Sequence, residues 1–368
     1  MDIKFIEGMK LYAKLWTGKV SCLLRRGASS IPFGMTVEPE DLNFGIELID
    51  ADTALTDAHI SNCDIVLGAG DSHWTLNLME LCKRKGVKCV ITIEYILETR
   101  LQIVWLNKRN WLKKLYSSFW NLNVERKRRR LLRTAHGIQA NGYPAFEAYG
   151  RNRPNTLLYL DNRLHAGLFA TADEMAARQE RLLSGAPLRL INSGRLEPMK
   201  GAQDLIPIAT ALRRYGMAFE LHIYGTGSLE AAIRDGIAKN DLQKNVFLHA
   251  PVDFETVLVP LSRQRMDIFL SCHRQSDPSC TYIESMGCGL PIIGYENRML
   301  SSLNAAGNIG WTAPLGAKNK LSEEIISVNR DRKNLSETSK NALYFAIQHD
   351  FYKTFNKRVQ QLKYTLNF

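Results

Sequence analysis

In the second half of the chain, short apolar runs alternate with amphipathic stretches. The runs are residues 188–192 (LRLIN), Phe219–Tyr224 (FELHIY), Val246–His249, 267–271 (DIFLS) and 290–294. Between them, residues 202–214 (AQDLIPIATALRR) and about 228–239 carry apolar positions at helical spacing. Strands alternating with helices of about 10–15 residues predict βαβ units and a parallel sheet, with ligands at the strands' C-terminal ends. The first half is less regular. Residues 63–67 (CDIVL) run into GAGDSH at 68–73 and a helix over 74–85, and Lys88–Ile93 (KCVITI), 137–140 and 156–160 form further strands. Residues 170–185 are polar and helical and suit a connector. Two Rossmann-like halves follow from this alternation, and no internal repeat is visible.

Length and composition agree with that division. A chain of 368 residues, 45% apolar and 23% charged, is long enough for two cores. No apolar run approaches the roughly 20 residues needed to span a bilayer. The N-terminal residues show no apolar signal core followed by small residues, so secretion is not expected. The seven cysteines form no CxxC pair and have no histidine at zinc-ligand spacing, which suits reduced thiols in a cytoplasm. Nothing supports Cys280 as a nucleophile with His273 as its base; a neutral cysteine is the reading there.

The net charge of +11 is concentrated. Residues 100–133 contain eleven Lys/Arg against one acid, Glu125. Trp105, Trp111, Tyr116, Phe119 and Trp120 lie among them. Basic residues mixed with aromatics suit the headgroup region of an anionic membrane, with Trp111, Lys113, Lys114, Arg126, Arg128, Arg129 and Arg130 as contacts. Nucleic acid ranks below that, and a solvated helix face over a buried aromatic stripe is the structural alternative.

Three segments carry candidate chemistry. Gly194-Arg195-Leu196-Glu197-Pro198-Met199-Lys200-Gly201 places two cations five residues apart between a strand and a helix. Arg195 suits bidentate grip of phosphate oxygens and Lys200 adds a point charge. Gly225-Thr226-Gly227 leaves a strand and opens a helix but lacks the third glycine of a dinucleotide fingerprint, so it is weak evidence for NAD. In SDPSCTYIESMGCGLPIIG (276–294), Glu284 stands where a polar loop becomes a helix. It is either a cap or an acceptor for two ribose hydroxyls. The small residues Ser279, Cys280 and Thr281 before it leave backbone N–H groups open to a phosphate.

Taken in order, Gly194-Arg195-Leu196-x-x-x-Lys200-Gly201, Tyr224-Gly225-x-Gly227, residues 267–271 and the Glu284 segment resemble the nucleotide-sugar-binding half of the family 4 glycosyltransferases. The resemblance covers about residues 187–315, and residues 345–366 resemble that family's last helices. It implies the GT-B fold: two Rossmann-like domains facing a deep cleft, the C-terminal helix crossing back to the N-terminal domain. The domains would be 1–170 with about 350–368, for the acceptor, and 186–349, for the nucleotide sugar. It also implies that Arg195 and Lys200 hold and neutralise the donor diphosphate, that Glu284 binds the ribose, and that the Cys280-Thr281 backbone meets phosphate and sugar. No metal and no cofactor are implied; the nucleotide sugar is a co-substrate.

The chain departs from the family at two places. Where a first glutamate is usual, eight residues before Glu284, Ser276 stands. Either Ser276 fills that position or Asp277 supplies the carboxylate through a one-residue shift, and Asp277 is the better chemical candidate. No glycine-rich loop lies near residue 15, and His73 is the nearest polar candidate in the first half. The resulting expectation is a cytoplasmic, retaining, metal-independent hexosyltransferase. It would use a UDP- or GDP-sugar and a glycan acceptor, lipid-linked at the inner membrane surface, in bacterial exopolysaccharide, capsule or lipopolysaccharide assembly. A nucleotide-sugar epimerase on the same fold, or a non-catalytic membrane- or nucleic-acid-binding protein, are the alternatives.

Overall fold

The computed structural model describes residues 1–27, 34–106 and 109–367, and it divides into two compact units. Lys108 of the basic segment lies outside the described residues. Unit 1 comprises 1–95, 119–159 and 351–368; unit 2 comprises 96–118 and 160–350. Residues 96–118 therefore cluster with the second unit, although the sequence division puts them in the first domain. Within unit 2 the helix Leu97–Leu106 packs on the Pro198–Lys200 turn, and Glu98 pairs with Arg298 at 3.4 Å.

Among the described residues, unit 1 holds two parallel sheets. Strands β1 (Ser21–Arg25) and β2 (Gly45–Ile49) pair with each other, while β3 (Ile65–Ala69), β4 (Lys88–Ile93), β5 (Gly137–Asn141) and β6 (Thr156–Tyr159) follow in chain order. The first and last helices, Ile3–Leu15 and Phe351–Leu366, lie together on this unit. Tyr12, Phe351, Phe355, Val359 and Leu362 share one buried cluster with Val90 of β4. The final helix is fixed by polar bonds as well: Gln139 of β5 donates to the Arg358 carbonyl at 3.0 Å and accepts from the Arg358 Nε at 2.8 Å. A helix spaced for one apolar face can belong to a unit remote in sequence because burial depends on the face and not on chain order.

Unit 2 holds one six-stranded parallel sheet built from β7 (Leu188–Ser193), β8 (Phe219–Tyr224), β9 (Val246–His249), β10 (Ile268–Ser271), β11 (Ile292–Tyr295) and β12 (Gly310–Ala313). Their spatial order is β12-β11-β10-β7-β8-β9. Leu188, Leu190, Leu221, Ile223, Ile268, Leu270 and Ile293 fill its core, with the helix Leu205–Arg214 packed on them through Leu205, Ile208, Ala209 and Leu212. The chain runs outward from β7 through β8 to β9, then returns to β10 on the other side of β7. In such a sheet the crossovers on the two sides leave β7 and β10 by opposite faces. That parts the loops at their C-terminal ends and leaves a ligand crevice there.

Candidate functional site

The loops after β7 and β10 meet at this switch point. Gly201 sits at φ +70° with the Cys272 carbonyl so close that an added Cβ would lie 1.8 Å from its oxygen. Only glycine permits that approach. The Arg274 amide donates to the Met199 carbonyl at 3.3 Å, and its guanidinium reaches Asp204 at 2.5 Å. The β8 loop is joined to the same assembly. Leu196 donates to the Thr226 carbonyl, and an added Cβ at Gly225 would lie 1.9 Å from the Gly194 carbonyl oxygen. Glu197 accepts from the Ser228 amide at 2.9 Å and its hydroxyl at 2.6 Å. The glycines at 194, 225 and 227 thus allow two turns to lie backbone to backbone.

Lys200 and Asp277 form an ion pair at 2.6 Å across the two loops. Both side chains are largely buried. Burial raises the Asp277 pKa, but Lys200 and then His273 outweigh it and hold the carboxyl below the ordinary range. Arg195 is exposed on the rim, its Nη2 3.9 Å from the Met199 sulfur. The cation pair expected from sequence is therefore one exposed guanidinium and one lysine already shared with a carboxylate.

Structure separates Ser276 from Asp277. The Ser276 hydroxyl accepts from the Arg298 amide at 3.2 Å, at the start of the helix Arg298–Gly307. Asp277 is the residue at the lysine. Two residues on, Ser279 is the N-cap of the helix Cys280–Gly287, and its hydroxyl bonds Thr281 Oγ1 at 2.8 Å. Cys280 and Thr281 are that helix's first residues, at the end where the dipole favours an anion.

Glu284 lies one turn further along, 5% exposed. It is not a helix cap: its carboxylate receives both arms of Arg163, Nε at 2.8 Å and Nη2 at 3.1 Å. The Arg163 guanidinium stacks on the Phe254 ring, 3.7 Å from its centre. A pocket lined by Ser193, Phe254, Leu258, Thr281 and Glu284, among others, opens there. Glu284 retains lone pairs for hydroxyl donors, since a carboxylate has about four acceptor sites. Arg163 carried no sequence signal: it stands 121 positions from its partner in an unpatterned loop. Phe254 and Glu197 likewise carried no signal as site residues, and His273 was weighed in the sequence only as a base for Cys280 and set aside.

The remaining expectations fall in other places. His73 is an exposed residue of unit 1, its ring against Trp74 and Trp120 at 4.6 and 5.7 Å. The helix Trp111–Thr134 exposes Trp111, Lys113, Arg126, Arg129 and Arg130, while Lys114 is half-buried and donates to the Trp105 carbonyl at 2.9 Å. Arg128 corrects the expected surface. It is 2% exposed, donates to the Gly70 carbonyl at 2.8 Å and pairs with Glu125 at 3.2 Å. Spacing explains this: 128 shares a helix face with the buried residues 121, 124, 125, 131 and 132. Among the described residues no group of three or more His, Cys, Asp or Glu is placed to hold a metal ion.

Comparison with known proteins places these features in context. Residues 173–343 match the family model described as glycosyl transferases group 1. The amylovoran biosynthesis glycosyltransferase AmsK of Erwinia amylovora is 30% identical over 156 residues, which is 39% of this chain and 36% of that protein. The match thus spans about a third of the curated relative's length. Among solved structures, sucrose-phosphate synthase from Thermosynechococcus elongatus superposes with a TM-score of 0.69 at 16% identity, covering 98% of this chain and 92% of the other. WaaG, a glycosyltransferase involved in lipopolysaccharide biosynthesis, gives 0.61 at 12% identity over 97% and 94%. Anabaena HepE, solved with UDP, gives 0.61 at 15% identity over 89% and 88%. These likenesses establish the fold: the chain has the GT-B architecture, with a parallel-sheet α/β arrangement in each of two units.

Proposed function

We propose that the chain is a retaining, metal-independent glycosyltransferase of family 4 that moves a hexose from a UDP- or GDP-sugar onto a glycan hydroxyl. One observation carries this reading. The Lys200–Asp277 pair, the Arg195 rim and the first turn of the Glu284 helix converge at the β7/β10 switch point. Arg195 and Lys200 bind the diphosphate, helped by the amides opening the helix at Cys280 and Thr281, and Glu284 holds the ribose. In transfer, the bond from the sugar's anomeric carbon to the diphosphate oxygen breaks. A bond to the acceptor oxygen forms on the same face, and the acceptor proton passes to the departing phosphate. The two cations offset the negative charge that develops on that leaving group. They supply what a divalent ion supplies in other transferases, so activity should persist in chelator.

The acceptor in this reading is lipid-linked and lies at the cytoplasmic face of a bacterial inner membrane. Its setting is exopolysaccharide, capsule or lipopolysaccharide assembly, in keeping with the named roles of AmsK and WaaG. The outer face of the helix Trp111–Thr134 supports it. Trp111, Leu112, Leu115, Tyr116 and Phe119 are exposed along its first half and Arg126, Lys127, Arg130 and Arg133 along its second. Aromatic and basic positions on one side of one helix match an interfacial element.

Thermal-shift titration of the full chain with UDP and with GDP tests the site. One nucleotide should raise the midpoint, and Lys200→Ala and Glu284→Ala should each weaken that response by at least tenfold in apparent Kd. Both variants retaining wild-type affinity would remove these residues from the site.

A further inference from the structure

His273 takes no part in the mechanism above, yet it is buried within electrostatic reach of the Lys200–Asp277 pair. Its Nδ1 and the Asp277 Oδ1 are both buried and have no hydrogen-bond partner. The two residues are 3% and 8% exposed. Unpartnered buried polar atoms are uncommon and unfavourable, and two within one small region call for a ligand. Lys200 links them: it holds the other Asp277 oxygen at 2.6 Å, and its charge acts on the imidazole together with that of Arg195. The ring is not loosely placed. Asn297 donates to the His273 carbonyl at 3.2 Å, and the imidazole packs against Tyr282 with ring centres 5.4 Å apart. Burial, reinforced by Lys200, pushes the His273 pKa down to about 3, so the ring is neutral and carries one N–H and one lone pair.

The site therefore offers an acceptor on Asp277 and, on His273, a nitrogen that donates or accepts according to tautomer. Neighbouring hydroxyls satisfy both: one donates to Asp277 Oδ1, and the next exchanges a hydrogen bond with His273 Nδ1. A carboxylate ligand would set a second negative charge against Asp277, and an apolar one would leave both atoms unsatisfied. We propose that His273 and Asp277 together read the hydroxyls of the transferred sugar, so that His273 is a specificity-determining residue favouring a neutral hexose over a hexuronate. This rests on the nucleotide-sugar reading of the site.

Calorimetric titration of the full chain with UDP, GDP, UDP-glucose, UDP-galactose, UDP-N-acetylglucosamine, UDP-glucuronate and GDP-mannose tests it, in wild type, His273→Phe and His273→Asn. Phenylalanine keeps the ring and its packing on Tyr282 but has no nitrogen; asparagine places an amide near the Nδ1 position. In the wild type one neutral nucleotide sugar should bind at least tenfold tighter than its bare nucleotide, with UDP-glucuronate no tighter than UDP. His273→Phe should keep the bare-nucleotide Kd and lose about tenfold of the sugar increment, the equivalent of one net hydrogen bond. His273→Asn should recover most of it, which a purely structural histidine would not predict. A Phe variant with the full increment, an Asn variant as poor as Phe, or preference for the glucuronate would overturn the proposal. If neither UDP nor GDP binds the wild type, the site reading itself fails and this inference with it. His273→Leu takes the place of the Phe variant if that chain does not fold.

Discussion

At Asp277 a carboxylate is buried against one lysine, and the balance of terms there has a measurable consequence. Its folded pKa is depressed, because Lys200 and His273 outweigh burial. The stabilisation it contributes is therefore complete above the ordinary carboxylate value and disappears as pH falls through the lower folded value. Asp277→Asn should destabilise the chain by about 3–5 kcal/mol near pH 7, since it strands a buried ammonium. The gap between wild type and variant should close as pH drops below about 4. Denaturation midpoints measured from pH 7 to 3 check this, and a gap constant with pH would count against the pairing. At the same scale, Arg163 shows what residue patterns conceal. In the sequence a glutamate at a loop-to-helix transition suits both a cap and a ligand; the helix starting at Cys280 and the bidentate partner from residue 163 together exclude the cap.

The helix Cys280–Gly287 is the element on which the site depends, and its far end is held by an unexpected residue. Arg178, in the helix Ala172–Leu183 that sequence suggested was a polar connector, is 3% exposed. Its guanidinium donates to the carbonyls of Cys288 and Gly289 at 2.8 and 2.6 Å, Met266 at 2.9 Å, and Ser262 and Arg263 at 3.1 and 2.7 Å. Burial lowers its pKa to about 10, which leaves it charged at neutral pH. A cation at the C-terminal carbonyls complements the helix dipole and ties three segments at one point. Arg178→Met should leave several buried carbonyls short of a donor and cost roughly 3 kcal/mol or more. In a unit of this size that lowers the melting midpoint by about 6–12 °C. Calorimetry of the variant checks it; a midpoint within about 2 °C of wild type would mean the carbonyls find other partners.

For the whole molecule, the net charge of +11 is largely that of residues 100–133. On the helix Trp111–Thr134, the face that carries the aromatics also carries Arg126, Lys127 and Arg130. Co-sedimentation with anionic vesicles should exceed that with zwitterionic vesicles and weaken as salt shortens the screening length from roughly 8 Å at physiological ionic strength. Replacing Arg126, Lys127 and Arg130 by Gln should cut anionic-vesicle binding by at least fivefold, whereas Arg128, inside unit 1, is excluded from the contact set. Unchanged sedimentation of the triple variant would refute a membrane role for this face.

Strand-forming runs, the βαβ rhythm and the cation–glycine segments were legible in the chain because they depend on local composition and spacing. Phe219–Tyr224, Val246–His249 and Lys88–Ile93 carry their apolar pattern within a few residues. Ser21–Arg25, Gly45–Ile49 and Gly310–Ala313 became strands through pairing partners that short, mixed segments do not announce. The chain alone carried the parallel α/β class and singled out Arg195, Lys200 and Glu284 as candidates for a phosphate and ribose site. Tertiary structure alone decided that Asp277 and not Ser276 meets Lys200, that Arg163 holds Glu284, and that His273 is buried without a partner for its Nδ1. Those relations join residues from about 75 to 120 positions apart or depend on exclusion from water. Neither distance through space nor access to solvent is written in local spacing.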